Sequence, residues 1–446
     1  MPNPQLLEQL ARSMLAGDPS VEQIVARCSH TLGQHWHWLS PLANRYVRRF
    51  AGQTRPRHRE VVEFLRNDRG FRAARSKHRK ELLVVQWLTE PAKMQPVAVA
   101  RAWGLPVLES IGVLARWLDI SVEDLEWFAD LKALNHRGGL LPLNHYSYRV
   151  LIKDSGDIRL LEAPKTRLKE MQRKILFGIL DKIPAHPAVH GFVKGRSIKS
   201  CVALHAGRRV VLRMDLKDFF PSFSARRIQT AFRTFGYPES VADLLGGVCT
   251  TFTPHGLWAR EKCNPPLALQ IRQHARDLYC RPHLPQGAPS SPALANICSH
   301  RLDCRLAGLA KSAGAVYSRY ADDCAFSGDH DFEKVVNRFS LQVAAILTEE
   351  GFHVNHRKTR VMRQGVRQHI AGLVANSHPN IIRVDIDRLK ATLTNCLRYG
   401  HQSQNRQSHA DFRSHLEGRV AFVESINPAK GQRLRVLMDR IEWRET

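Results

Sequence analysis

The chain has 446 residues, of which 43% are hydrophobic and 24% charged, and this composition excludes an intrinsically disordered protein. Lys and Arg number 67 against 41 Asp and Glu, which gives a formal net charge of +26 and favours a nucleic acid partner. A membrane is not an expected partner, because no apolar run approaches the roughly 18 residues that a membrane-spanning helix needs.

The start of the chain and its cysteines bear on the compartment. Residues 1–5 lack the basic and apolar regions of a signal peptide. The nine Cys are scattered without a Cys-x-x-Cys pair, so we predict neither a zinc site nor a disulfide framework. A reducing, cytoplasmic setting is expected.

Residues 1–135 predict a helical N-terminal region. Ser20 and Ser121 each precede apolar residues at helical spacing, as helix N-caps do. Residues 45–81 contain 13 Lys and Arg but only four Asp and Glu. Such a run is either a solvated face or a surface that binds nucleic acid. The aromatic residues interleaved with it favour a surface that binds nucleic acid, with Arg48 and Arg49 among the contacts; these aromatic residues are Tyr46, Phe50, Phe64 and Phe71.

Two further regions are predicted from the change of pattern. Residues 136–380 mix strand and helix patterns, after a linker that contains Gly138-Gly139. Residues 381–446 return to basic amphipathic helices, in which Arg388 and Arg398 lie among leucines four apart.

Two segments carry paired acids. Residues 210–220 read as an apolar strand that ends in Asp215, and Tyr320-Ala321-Asp322-Asp323 reads as the turn between two strands. Adjacent carboxylates are costly to desolvate, so the turn is either solvated or binds a divalent cation. If the fold brings Asp215 to this turn, three carboxylates meet the requirement for two Mg²⁺ ions in phosphoryl transfer.

Residues 284–296 lie between these two segments. Two prolines and a glycine predict a fixed loop, followed by a helix that begins near Pro292. The Gln286 side chain in this loop has the donors and acceptors to bind a sugar or a base. A buried loop before a core helix is the alternative.

These motifs resemble, in their order along the chain, the palm and fingers motifs of reverse transcriptases. Their individual residues resemble those of the bacterial retron-type enzymes. Residues 146–172 resemble the first fingers motif, residues 190–198 the second, and residues 351–359 a palm motif that contains a Lys. The resemblance spans residues 140–380. It implies an α+β right-hand polymerase fold with fingers, a palm with an antiparallel sheet, and a helical thumb, in addition to the helical N-terminal region.

The resemblance also implies roles for the acids. Asp215, Asp322 and Asp323 would bind two Mg²⁺ ions, for which Mn²⁺ is a possible substitute, and the Leu216 carbonyl would complete one coordination shell. Lys358 would protonate the leaving pyrophosphate, unless it is an ordinary surface lysine.

Further roles concern the nucleotide and the RNA. Arg159 and Lys153 would contact the triphosphate, Gln286 the incoming nucleotide, and Phe220 would exclude a ribose 2′-OH unless it is a core aromatic residue. Lys194 and Arg196 would bind RNA, as would His205 unless it is a structural histidine. Two departures from the retron pattern, Cys201-Val202 and Ala371, lie where the family recognises its RNA.

The implied activity is that of an RNA-directed DNA polymerase. Its partners would be a structured noncoding RNA that is both template and primer, the DNA product and RNA–DNA hybrid, dNTPs and a separate effector protein. The product would be branched RNA-linked single-stranded DNA (msDNA), made in antiphage defence. The alternatives are another class of reverse transcriptase (defence-associated, diversity-generating or group II intron-like) and a catalytically silent RNA-binding protein.

Overall fold

The computed structural model describes residues 4–51, 55–88, 92–133, 145–152, 158–258 and 269–443. Lys153 and the predicted linker at Gly138-Gly139 lie outside these residues. The chain divides into two compact units: Met1–Pro184 with Phe220–Cys298, and Ala185–Phe219 with Ser299–Thr446. We call them the first and second units; the three predicted ranges, 1–135, 136–380 and 381–446, stay predictions.

The N-terminal part of the first unit is helical. Ser20 and Ser121 are N-caps, because each side chain accepts a hydrogen bond from the backbone N–H three residues later. Their helices belong to the series α1 Pro4–Leu15, α2 Val21–Leu32, α3 Leu39–Phe50, α4 His58–Asn67, α5 Arg69–Lys77, α6 Ile111–Leu118 and α7 Val122–Ala129. Arg48 and Arg49 are exposed on α3.

The aromatic residues of the basic run differ from the expectation. Tyr46 and Phe71 are buried in the core formed by α1 to α5, and Phe50 and Phe64 pack against that core. Their spacing therefore reflects helix packing, and the rings of Tyr46 and Phe71 are not available to stack on bases.

The rest of the first unit combines a two-stranded sheet with helices. Strands β1 Tyr146–Ile152 and β2 Ile158–Pro164 pair antiparallel. Helices α8 Thr166–Gly178, α10 Ala225–Thr234, α11 Glu239–Cys249, α12 Leu269–Tyr279 and α13 Ser291–Cys298 complete it. The start of α13 confirms the helix predicted near Pro292.

An antiparallel sheet lies at the centre of the second unit. Strand β3 Val210–Lys217 pairs with β5 Asp323–Gly328 on one side, and β5 pairs in turn with β4 Val316–Tyr320. On its other side β3 pairs with β6 His353–Val354 and β7 Arg360–Arg363. Helices α9 Ile198–Ala203, α14 His300–Ser312 and α15 His330–Glu349 belong to this unit, as does the hairpin of β8 His369–Ile370 and β9 Leu373–Val374.

Three helices end the second unit: α16 Arg383–Tyr399, α17 Phe412–Ile426 and α18 Pro428–Asp439. Their leucines and valines at four-residue spacing face a core that also contains the β8–β9 hairpin. Arg388 and Arg398 lie on the exposed face of α16. Helices together with an antiparallel sheet confirm the α+β prediction.

Candidate active site

The acidic turn, residues 320–323, joins β4 to β5. Tyr320 pairs with Asp323 across the strands, so Ala321 and Asp322 form the turn itself. Ala321 has a left-handed φ of 55°, which is uncommon for a residue other than glycine. The strand, tight turn and strand predicted from the sequence are confirmed.

The sheet brings Asp215 to this turn. Asp215 on β3 lies directly opposite Asp323 on β5, and directly opposed side chains share one face of a sheet. The N–H of Leu216 donates a hydrogen bond to the Asp322 carbonyl at 2.9 Å. The three acids, far apart in the sequence, are therefore joined by strand pairing.

Asn355 and Lys358, which follow β6 in the chain, both contact Asp215. Asn355 donates from its Nδ2 to Asp215 Oδ2 at 3.0 Å, and Lys358 Nζ lies 3.0 Å from Asp215 Oδ1. The backbone N–H of Lys358 donates to the Asn355 carbonyl, which forms the turn that brings the lysine back toward β3. Both carboxylate oxygens of Asp215 thus have partners within the protein.

The negative charge of Asp323 has fewer stabilising contacts than that of Asp215. Burial and the negative charges of Asp322 and Asp215 raise its pKa to about 6, against the opposing effect of Arg213. Its Oδ1 is buried without a hydrogen bond, 3.5 Å from Arg213 Nε. An orphaned hard oxygen beside two more carboxylates fits a divalent cation by its chemistry. In the described part of the chain, however, no three His, Cys, Asp or Glu side chains are grouped closely enough to bind a metal ion as they stand.

A buried ion pair lies behind the acidic turn. Arg319 and Asp303 are both 0% exposed and form two hydrogen bonds of 2.7 Å. The remaining Nη1 of Arg319 donates to the Ala321 carbonyl at 3.0 Å, and Tyr317 donates from its hydroxyl to Asp303. The pair therefore holds the backbone of the turn in place through the hydrogen bond from Arg319 to the Ala321 carbonyl.

The second fingers motif packs against the same turn. The N–H of His190 donates to the Arg319 carbonyl, and the N–H of Arg319 donates to the Ala188 carbonyl, both at 2.8 Å. A Cβ on Gly191 would lie 2.5 Å from the backbone nitrogen of Ala321, so only glycine fits there.

Comparison with known proteins identifies the family. Residues 151–392, more than half of the chain, match the family described as reverse transcriptase (RNA-dependent DNA polymerase). The retron Mx65 reverse transcriptase of Myxococcus xanthus is 39% identical over 336 residues, which cover 74% of this chain and 72% of that protein. The chain belongs to the retron reverse transcriptases.

Two more relatives agree. The retron Mx162 enzyme of Myxococcus xanthus is 34% identical over 77% of this chain and 69% of its own length. The retron Ec86 enzyme of Escherichia coli is 29% identical over 77% of this chain and 92% of its own length. The protein is an RNA-directed DNA polymerase of a retron, and it acts on an RNA template with divalent metal ions, as this family does. Among the described residues, each helix is too short or too polar to span a bilayer.

In this retron reverse transcriptase the residues predicted for the nucleotide lie in the first unit. Arg159 is exposed on β2, and Gln286 is half-buried. The Gln286 carbonyl accepts a hydrogen bond from the N–H of Glu162 at 2.8 Å. Phe220 is half-buried at the start of the short helix Phe220–Ser222.

One of the residues predicted to bind RNA is buried and has its partners inside the protein instead. His205 is 0% exposed, and its ring nitrogens lie 2.7 Å from the hydroxyls of Ser318 and Ser327. Burial lowers its pKa to about 3, so the ring is neutral. This corrects the prediction of an RNA contact in favour of a structural histidine. Arg196 directs its Nη1 to the carbonyls of His186, Pro187 and Val189, whereas Lys194 is exposed.

The departures from the retron pattern lie in the second unit. Cys201 is buried with its sulfur 3.2 Å from the Ser318 hydroxyl, and Val202 is buried in the core of the last three helices. Ala371 occupies the turn of the β8–β9 hairpin with a left-handed φ of 45° and packs against the same core. All three residues therefore take part in packing within the second unit.

Sequence reasoning missed several residues near the acids. Asn355 stands three positions before Lys358 in the recognised motif, and Arg213 has the strand parity of Asp215. That parity was a usable signal, because residues two apart on a strand share a face. The pairing of Arg319 with Asp303 had no comparable signal.

Proposed function

We propose that Asp215, Asp322 and Asp323 bind two Mg²⁺ ions and that this centre copies a structured noncoding RNA into DNA. The observation that carries the proposal is the strand pairing that sets Asp215 opposite Asp323, beside the turn residue Asp322. When bound, the ions would activate the primer hydroxyl and neutralise the leaving pyrophosphate. The Leu216 carbonyl is a further candidate ligand, and Mn²⁺ is a candidate substitute.

Lys358 is proposed to act as the proton donor to pyrophosphate. Its ammonium contacts Asp215 Oδ1, so it lies next to the reacting phosphates in this proposal. Arg213 and Asn355 position the acids: Arg213 lies beside Asp323, and Asn355 donates to Asp215.

The first unit is proposed to bind the dNTP. Arg159 is exposed on β2 and has the bidentate donors that suit a triphosphate. Gln286 would contact the nucleotide, and the Phe220 ring would exclude a 2′-OH. For Lys153, which lies outside the described residues, the same triphosphate contact is proposed from the sequence alone.

The RNA is proposed to contact basic residues in both units: Arg48 and Arg49 on α3, Lys194 and Arg196 in the second fingers motif, and Arg388 and Arg398 on α16. The relatives' retron names support the finer proposal that this RNA is both template and primer. The product is then msDNA, and the physiological role is antiphage defence with a separate effector in the cytoplasm.

Primer extension tests the metal centre. Purified protein is incubated with Mg²⁺, dNTPs and a primed RNA, and we expect the wild type to synthesise DNA while Asp322→Asn does not. Asp331→Asn is the matched control, because Asp331 is an exposed aspartate on α15 that loses the same charge. Equal synthesis by wild type and Asp322→Asn would show that the proposed centre is wrong.

Sequencing of the nucleic acid that copurifies with the protein tests the product. Branched RNA–DNA is expected from a retron, whereas unbranched DNA would contradict the msDNA proposal and leave the polymerase activity standing.

A further inference from the structure

The first unit contains a buried ion pair that the metal centre does not use. Glu162 on β2 is 0% exposed and His283 is 1% exposed, and His283 Nε2 lies 2.9 Å from Glu162 Oε2. The other ring nitrogen, Nδ1, lies 2.6 Å from the Arg281 carbonyl. A carboxylate and a carbonyl only accept hydrogen bonds, so both ring nitrogens donate and the imidazole is a cation.

The pair has complete polar contacts. The second oxygen of Glu162 accepts a hydrogen bond from the Thr253 hydroxyl at 2.8 Å. The charge and hydrogen bond of Glu162 raise the pKa of His283 in spite of its burial. Breaking one member of such a pair leaves an uncompensated buried charge, which is strongly destabilising locally.

Four chain segments are joined at or next to this pair. The N–H of Glu162 donates to the Gln286 carbonyl, which joins β2 to the Gln286 loop, residues 284–287. His283, next to that loop, exchanges backbone hydrogen bonds of 2.9 and 3.0 Å with Thr251. The N–H of Leu284 donates at 3.1 Å to the carbonyl of Phe223, in the segment that begins with Phe220.

Close backbone approach makes the arrangement rigid. Gly287 has a φ of 134°, and a Cβ there would lie 3.0 Å from the Glu162 carbonyl oxygen. The Gln286 loop therefore lies directly against β2, with the ion pair between the two elements and the Thr251–Thr253 segment.

We propose that the Glu162–His283 ion pair positions the dNTP site. Arg159 is on the strand of Glu162, Gln286 is in the loop that Glu162 binds, and Phe220 begins the segment bonded to Leu284. The pair thus sets these three side chains relative to one another without touching the nucleotide. This inference rests on the nucleotide site given under Proposed function.

Glu162→Gln tests the role, because the amide keeps the size of the side chain while removing the negative charge. We expect KM for dNTPs to rise about tenfold or more, since small displacements of positioning groups have effects of this order. The turnover number kcat at saturating dNTP and the affinity for RNA should stay within about threefold. Asp124→Asn is the matched control, because it removes a carboxylate from an exposed pair with Arg167 in the same unit, and KM should not change.

A pH profile supplies a readout that loss of fold would not produce. The groups that face the pair are Tyr146 and Tyr148 from β1, whose pKa values burial raises far above neutrality, and the ring of Tyr279 from α12. The wild-type KM should therefore rise as the pH passes upward through the raised pKa of His283. In His283→Gln the KM should start high and lose this dependence.

The double variant Glu162→Gln with His283→Gln guards against misfolding, because it buries no unpaired charge. It should fold, and its KM should stay above the wild-type value because the ion pair is absent. Unchanged KM in folded Glu162→Gln, or a wild-type KM in the folded double variant, would overturn the inference. Loss of activity in Asp322→Asn alongside either result would leave the proposed metal centre standing.

Discussion

Each unit places a buried ion pair behind a proposed site loop: Arg319–Asp303 behind the acidic turn and His283–Glu162 behind the Gln286 loop. All four side chains are between 0% and 1% exposed. Arg319 donates a hydrogen bond to the Ala321 carbonyl of the acidic turn, and His283 donates one to the Arg281 carbonyl near the Gln286 loop. The cations differ in chemistry. Arginine keeps its proton at every physiological pH, whereas histidine loses its proton within reach of neutral pH. Although both pairs are equally buried, the Arg319–Asp303 pair therefore stays charged at every physiological pH, whereas the His283–Glu162 pair loses its cation as the pH rises.

The largest expected effect comes from breaking the arginine pair. Arg319→Met leaves Asp303 buried without its partner, and we expect the free energy of unfolding, measured with urea, to fall by roughly 3–5 kcal/mol. The double variant Arg319→Met with Asp303→Leu should recover most of that stability. It should still synthesise DNA poorly, because the Ala321 carbonyl has lost its donor; full activity would contradict a role for Arg319 in fixing the turn.

His205 tests a neutral buried histidine against the charged one. Its pKa of about 3 lies below that of the unfolded chain, so the unfolded state binds the proton and stability falls as the pH decreases below 6.5. Between pH 6.5 and 5 this group should cost roughly 2 kcal/mol. Urea unfolding of His205→Asn across the same range should show a correspondingly shallower loss; an identical slope would mean that His205 is protonated in the folded protein.

Asp323 differs from Asp303 and Glu162, because two acidic neighbours oppose its contact with Arg213. Because burial and its acidic neighbours raise its pKa from 3.8 to about 6, the metal-free protein loses stability as the pH rises through this range, and the loss is complete above pH 6. In EDTA at pH 7.5, Asp323→Asn should be more stable than wild type by about 2 kcal/mol, since solvent screens part of the repulsion between the acids. The same variant should be inactive in primer extension. Reduced stability would show that Arg213 outweighs the repulsion between the acids.

The smallest effect on stability should come from titrating His283. Its folded pKa is raised, so the pair contributes fully below the unfolded value of 6.5, and that contribution is lost as the pH rises through the folded value. Unfolding from pH 6 to 9 should show this loss in wild type but not in His283→Gln. The sign is opposite to that of His205, and a loss toward acid pH would contradict the charged pair.

The sequence allowed prediction of whatever depends on neighbours along the chain. The acidic turn, the helix near Pro292 and the N-caps at Ser20 and Ser121 were predictable because strand alternation and capping are local. Pairing between residues distant in the sequence could not be predicted. No sequence pattern relates Arg319 to Asp303, or His283 to Glu162.

Two local signals were ambiguous for a physical reason. Glu162 has the strand parity of the buried Leu160, which marks a core position, but a Glu at such a position does not name its partner. The interleaved Tyr46 and Phe71 are as compatible with a helical core as with base stacking, and tertiary packing decided between these alternatives.

Gly191 has a consequence for how much variation the protein tolerates. Its Cα lies so near the Ala321 nitrogen that the clearance is less than one methyl group. Substitution of a flexible side chain near the metal centre can be absorbed by small movements of its neighbours. Substitution of Gly191 cannot, because any side chain at this position would contact the backbone of the acidic turn. Even the smallest substitution, Gly191→Ala, should therefore displace the acidic turn through its backbone and lower DNA synthesis without changing any acidic residue.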